Sequence, residues 1–139
     1  QSTVDHGPVT YGFTAGSRIP LIHTSLGRML MACLPQDHAA ALVKRDPIPG
    51  HTDSSILDHS SILKRIDQAR EDGLVVTDSE FESGIIGYAV VVSRPGDTPV
   101  VVGSSAPRGL GDQNRQEAIL SELQLCAAEL RQSNAVVGL

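Results

Sequence analysis

The 139-residue chain reads as a single α+β domain, an antiparallel sheet flanked by helices on both sides, and three observations predict it. Two apolar runs, Ile85–Ser93 and Val100–Ser105, are joined by Arg94, Pro95, Gly96 and Asp97, with proline second and glycine third as a type II turn prefers. They form a hairpin whose nearly continuous apolar character predicts cover on both faces. A covering helix follows, in which Ile119, Leu123, Cys126 and Leu130 repeat at four, three and four, with Leu120 and Ala127 flanking. Finally, three helical patterns in a row precede the hairpin, a segregated order rather than strand-helix alternation.

Taken in order, Gln1 to Pro8 is a polar lead-in, and Val9, Tyr11 and Phe13 alternate with Thr10, Gly12 and Thr14 as a strand running to Ala15. Gly16 breaks that run, Pro20 stiffens the chain, and Thr24 or Ser25 is placed to cap a helix. That helix, to Leu34, carries Leu26, Met29, Leu30 and Cys33 on one apolar face. Pro35 ends it and suits the first turn of the next helix, which stops by Arg45 and has an acidic start and a basic end. Asp46 to Asp58 is a turn-rich surface loop. From Asp58 a third helix buries Ile62, Leu63, Ile66 and Ala69 and closes at Gly73 with a left-handed cap. Leu74 to Thr77 is a short strand, Glu80 to Gly84 a solvated turn, and Asp112 the cap of the last helix. The tail beyond Gln132 packs on the domain or joins a neighbour.

A chain of this length buries roughly two thirds of its unfolded surface. Net charge of −5, from 16 acidic and 11 basic residues, argues against a direct grip on phosphate backbones, and 3% aromatics without tryptophan supplies no base-stacking platform. Cys33 and Cys126 fall on apolar helix faces and read as small hydrophobes. Without a signal-like or membrane-spanning run, a cytoplasmic setting is expected, with no membrane partner. The chain starts at Gln1 rather than methionine, which reads as a piece of something longer.

Chemistry-bearing candidates are few. The small-residue step into the helix at Thr24 leaves backbone amides that attract carboxylates, although self-capping satisfies some of them. Ser61 and Lys64 have the S-x-x-K spacing of some serine hydrolases but lack a companion K-T-G. His51, Asp53 and His59 share a loop without zinc-ligand spacing, and His6, His23 and His38 are scattered. No dinucleotide or Walker A fingerprint occurs, so no catalytic set, metal or cofactor is expected.

Two stretches carry a family resemblance. Gly16, Arg18, Ile19, Pro20, Thr24, Gly27, Arg28, Leu30, Met31, Ala32, Leu34 and Pro35 match, in order, the start of the long helix in the effector-binding domain of IclR-type bacterial transcription regulators. Gly73, Asp78, Glu80, Gly84, Ile85, Ala89 and Val92 match a later segment, and Ser105, Ala106 and Pro107 the end of its hairpin. Departures are His23, one place late, and Thr77, Ile86 and Gly103, where members more often carry an acidic or amide residue, an arginine and a serine.

The resemblance implies a GAF-like or profilin-like sheet and a small-molecule sensor rather than an enzyme. It implies that the chain lacks the domain's first helix and strands and a winged helix-turn-helix DNA-binding domain, through which alone DNA would be bound. It implies a homodimer or tetramer, an organic or aromatic acid as effector, and a pocket of Tyr11, Ile19, Ser25, Leu26, Thr77, Asp78, Gly87, Gly103 and Ser105. The alternatives are a small catabolic enzyme acting on a carboxylic acid, and a dimerisation module without ligand.

Overall fold

A computed structural model describes residues 15–109 and 111–133. The elements run α1 (Ser25–Ala32), α2 (Gln36–Lys44), α3 (His59–Asp72), β1 (Leu74–Asp78), β2 (Ile85–Val91), β3 (Val101–Pro107) and α4 (Asp112–Gln132). The three strands form an antiparallel meander in the order β1-β2-β3. This is the expected α+β layout with helices on both sides of the sheet. Of the strand expected from Val9 to Ala15, residues 9–14 lie outside the described residues, and Ala15 is not in a strand but forms a turn with Gly16.

Alternation along the strands divides the core in two. On one face, Val75, Ala89, Val91 and Val101 pack with Met29, Met31 and Ala32 of α1 and Ile62, Ile66 and Ala69 of α3. On the other, Val76, Ile86, Tyr88, Val90 and Val102 pack with Ile119, Leu123, Ala127 and Leu130 of α4. The helix α1 is therefore pressed between the sheet and α3, which fixes where its first turn points.

Local chemistry explains the element ends. Thr24 caps α1, its Oγ1 accepting from the Gly27 amide at 3.0 Å, and Asp58 caps α3 through the Ser61 amide at 2.8 Å. That contact accounts for the S-x-x-K serine as part of a helix cap. Gly73 ends α3 at φ 74°, and Gly96 takes φ 89° in the hairpin turn, closed from the Asp97 amide to the Arg94 carbonyl at 3.1 Å.

Four expectations are corrected. Pro35 is the N-cap of α2 rather than a first-turn residue, and Cys33 is the C-cap of α1. Asp112 opens α4 without capping it. The cap is Gly111 at φ 77°, and the Asp112 carboxylate instead accepts from the Gly109 amide at 2.8 Å and from Arg115 at 2.6 Å, which hold its pKa below the usual range. The strand β3 is not buried on both faces, because among the described residues it has a neighbour on one side only, and Ser104, Ser105 and Pro107 are exposed while the other four residues are half-buried.

Candidate functional site

Register builds the site. Thr77 pairs with Gly87 and Gly87 with Ser105, so the three stand in one row across the sheet. Their side-chain positions share the face covered by α1. A methyl group added at Gly87 would lie 2.8 Å from Ser25 Oγ and 2.8 Å from Thr77 Oγ1, which places two hydroxyls on either side of a missing side chain. One row along, a methyl at Gly103 would meet Leu26 Cδ2 at 2.6 Å and the Tyr88 carbonyl at 2.6 Å. Ser25 and Thr77 are buried, Gly87 is half-buried and Ser105 exposed, so the row opens toward β3. The arrangement offers two buried hydroxyls, one solvent-exposed hydroxyl on the same face and an apolar wall at Leu26, the donor and acceptor set for a small hydroxylated or anionic molecule.

Of the nine residues implied for a pocket, the structure brings Ser25, Leu26, Thr77, Gly87, Gly103 and Ser105 to this face. Ile19 is half-buried on the approach to α1, and Tyr11 lies outside the described residues. Asp78 is placed apart. Directly after Thr77 it points to the opposite face by strand alternation, is exposed, and its Oδ2 lies 3.6 Å from Arg108 Nε.

Sequence reasoning missed the group that braces the site. Glu80, expected in a solvated turn, is buried, and its carboxylate receives both terminal nitrogens of Arg28, Nη1 at 3.1 Å and Nη2 at 2.5 Å. Arg28 Nε donates to the Ile22 carbonyl at 3.0 Å, so the whole guanidinium fork is engaged inside the protein. His23 completes the group, with Nδ1 3.4 Å from Glu80 Oε1 and Nε2 3.0 Å from the Pro49 carbonyl. Burial holds its imidazole below the ordinary pKa, against the pull of Glu80 and Pro49. The turn that delivers Glu80 is set by Ser79 at φ 59°, whose hydroxyl accepts from the Gly84 amide at 3.0 Å and whose carbonyl receives Thr52 Oγ1. Ser55 Oγ donates to the Glu80 carbonyl at 2.6 Å, tying the 46–58 loop to the same turn. A signal for this was present: Arg28 is the one charged residue in the otherwise apolar or small α1 sequence SLGRMLMA, so no solvated face waits for it.

The imagined zinc group does not assemble. His59 Nε2 contacts the Asp46 carbonyl at 3.1 Å, His51 lies edge-on to His23 and Phe81, and the described residues hold no cluster of metal-binding side chains. An open cavity of about 240 Å³ adjoins the α1 start, walled by Ile22, Leu42, Val43, Pro47 and Pro49 together with His23 and His51. No described helix is long and apolar enough to cross a membrane.

Residues 7–132 match the family description of the bacterial transcriptional regulator IclR C-terminal domain. The chain belongs to the IclR family. Among curated IclR-type relatives, the Pca regulon regulatory protein of Pseudomonas putida is 29% identical over 84 residues, covering 60% of this chain and 29% of that protein. The Escherichia coli K12 repressor AllR is 24% identical over 124 residues, 89% of this chain and 45% of AllR. The chain thus spans less than half the length of these relatives. A transcriptional regulator from Rhodococcus sp. RHA1 superposes with a TM-score of 0.81 at 28% identity, over 94% of this chain and 54% of that one. The inducer-binding domain of a PobR double mutant from Acinetobacter, in complex with 3-hydroxybenzoic acid, superposes with a TM-score of 0.79 at 26% identity, over 91% of this chain and 74% of that one. The IclR C-terminal domain is thereby the architecture described above.

Proposed function

We propose that this chain is the sensing domain of a transcription regulator, and that it binds a small aromatic acid between the first turn of α1 and the Thr77–Gly87–Ser105 row. The observation that carries the reading is the convergence of the Ser25 and Thr77 hydroxyls over Gly87, packed so closely that only a glycine fits, at the end of a row that reaches solvent at Ser105. Ser25 also belongs to the first turn of α1, whose free amides favour a carboxylate. Likeness to a PobR domain that holds 3-hydroxybenzoic acid supports an aromatic acid as the class. Occupancy would bias the packing of a homodimer or tetramer, and the bias would pass to a winged helix-turn-helix domain that contacts DNA in the cytoplasm. The domain binds its effector and leaves it unchanged.

A thermal-shift screen of hydroxybenzoates, benzoate and short aliphatic acids, with product analysis of every hit, tests this. Saturable stabilisation by an aromatic acid recovered intact is expected. Turnover of a hit would make the chain an enzyme, and stabilisation by none would make it a packing module.

A further inference from the structure

Ser25 and Thr77, whose hydroxyls converge over Gly87, belong to two segments that meet a second time. Three residues beyond Ser25 stands Arg28, and three beyond Thr77 stands Glu80. Their side chains join through two parallel hydrogen bonds, Nη1 to Oε2 at 3.1 Å and Nη2 to Oε1 at 2.5 Å. Apolar packing of a helix on a sheet tolerates repacking and loses uniqueness before it loses stability. A planar fork on a carboxylate fixes direction as well as distance.

Stability alone gives little reason for such a pair. Burying two charges costs desolvation that their attraction roughly offsets, and a well-packed apolar pair of similar volume is commonly as stable or more so. Arg28 and Glu80 are 2% and 8% exposed, so the cost applies here. Each partner is also anchored within its own segment. Arg28 Nε donates to the Ile22 carbonyl at 3.0 Å, holding the chain that enters α1. Glu80 follows Ser79, whose left-handed backbone at φ 59° persists only where its surroundings over-determine it, and the loop supplies that constraint through Thr52 to the Ser79 carbonyl and Ser55 to the Glu80 carbonyl. What the pair itself sets is how the first turn of α1 stands against the end of β1.

We propose that Arg28 and Glu80 are positioning residues for effector binding: resting on the aromatic-acid reading above, their bidentate pair holds the Ser25 and Thr77 hydroxyls at the spacing the ligand needs, and acts through those two groups. The same pair spaces the two sides of the site and locks α1 against rolling on the sheet.

Calorimetric titration of 3-hydroxybenzoate and 4-hydroxybenzoate into the wild type and the double variant Arg28→Met with Glu80→Leu, beside urea unfolding of both, tests this. The apolar pair is expected to unfold near the wild-type midpoint, yet to bind about tenfold or more weakly, the combined worth of two hydroxyls held off their positions. A merely structural pair would not separate stability from affinity. A folded double variant with wild-type affinity would overturn the proposal and leave the sensing reading standing, whereas a wild type that binds neither acid would overturn that reading and the proposal with it. Should the double variant fail to fold, Arg28→Lys decides, because lysine keeps the charge and gives up the planar fork. Weaker binding by the folded protein is expected, and wild-type affinity would overturn the proposal.

Discussion

The guanidinium of Arg28 and the carboxylate of Glu80 meet end to end, two hydrogen bonds wide, beneath the first turn of the helix that forms one wall of the candidate site. The pair joins residues 52 positions apart, and so fixes how α1 approaches the strand that carries Thr77. Its removal exposes the energetic logic of the domain.

Arg28→Ala leaves a buried carboxylate without its partner, and destabilisation of about 3–5 kcal/mol is expected in urea unfolding. The double replacement Arg28→Met with Glu80→Leu removes both charges and should recover most of the loss. A single variant that unfolds with the wild-type midpoint would contradict the pairing.

Gly103→Ala should destabilise by about 1–3 kcal/mol, because the new methyl would meet a backbone oxygen, the Tyr88 carbonyl, as well as Leu26. Gly73→Ala should cost about 1–2 kcal/mol for a different reason, the left-handed conformation at the end of α3, since the new methyl would meet only Val91 Cγ1 at 3.4 Å, an ordinary contact. Thermal unfolding of the two variants checks both.

The hydroxyls of Ser25 and Thr77 should matter for binding more than for folding. Ser25→Ala and Thr77→Val each remove one hydrogen-bonding group and should weaken aromatic-acid binding by up to roughly tenfold, the range of one hydrogen bond. Both variants should unfold within about 1 kcal/mol of the wild type. Equal affinity in all three proteins would take these hydroxyls out of the site.

Much of this was legible in the sequence, and the reason is periodicity. The faces of α3 and α4 and the hairpin turn at Pro95 and Gly96 follow from residue spacing, whereas in α1 Leu26, Leu30 and Cys33 of the expected face are only half-buried and the core takes Met29 with Met31 and Ala32. The row Thr77, Gly87, Ser105 required register, which no local pattern supplies, and only the family resemblance gathered those positions in advance. Asp78 shows the limit of that transfer, because one step along a strand reverses the face. Glu80 was hidden for another reason. A carboxylate in a turn ordinarily meets water, and only the left-handed Ser79 and the distant Arg28 turn it inward.

The most direct test is calorimetric titration of the wild type and Gly87→Val with 3-hydroxybenzoate and 4-hydroxybenzoate. Valine at this position forces the Ser25 and Thr77 side chains to shift and should cost stability, so circular dichroism and urea unfolding first establish that the variant is folded under the titration conditions. Saturable one-site binding by the wild type and a loss of at least about a hundredfold, or about 2.7 kcal/mol, in the variant is the result expected. A Gly87→Val protein that binds the acid as tightly as the wild type would show that the ligand sits elsewhere.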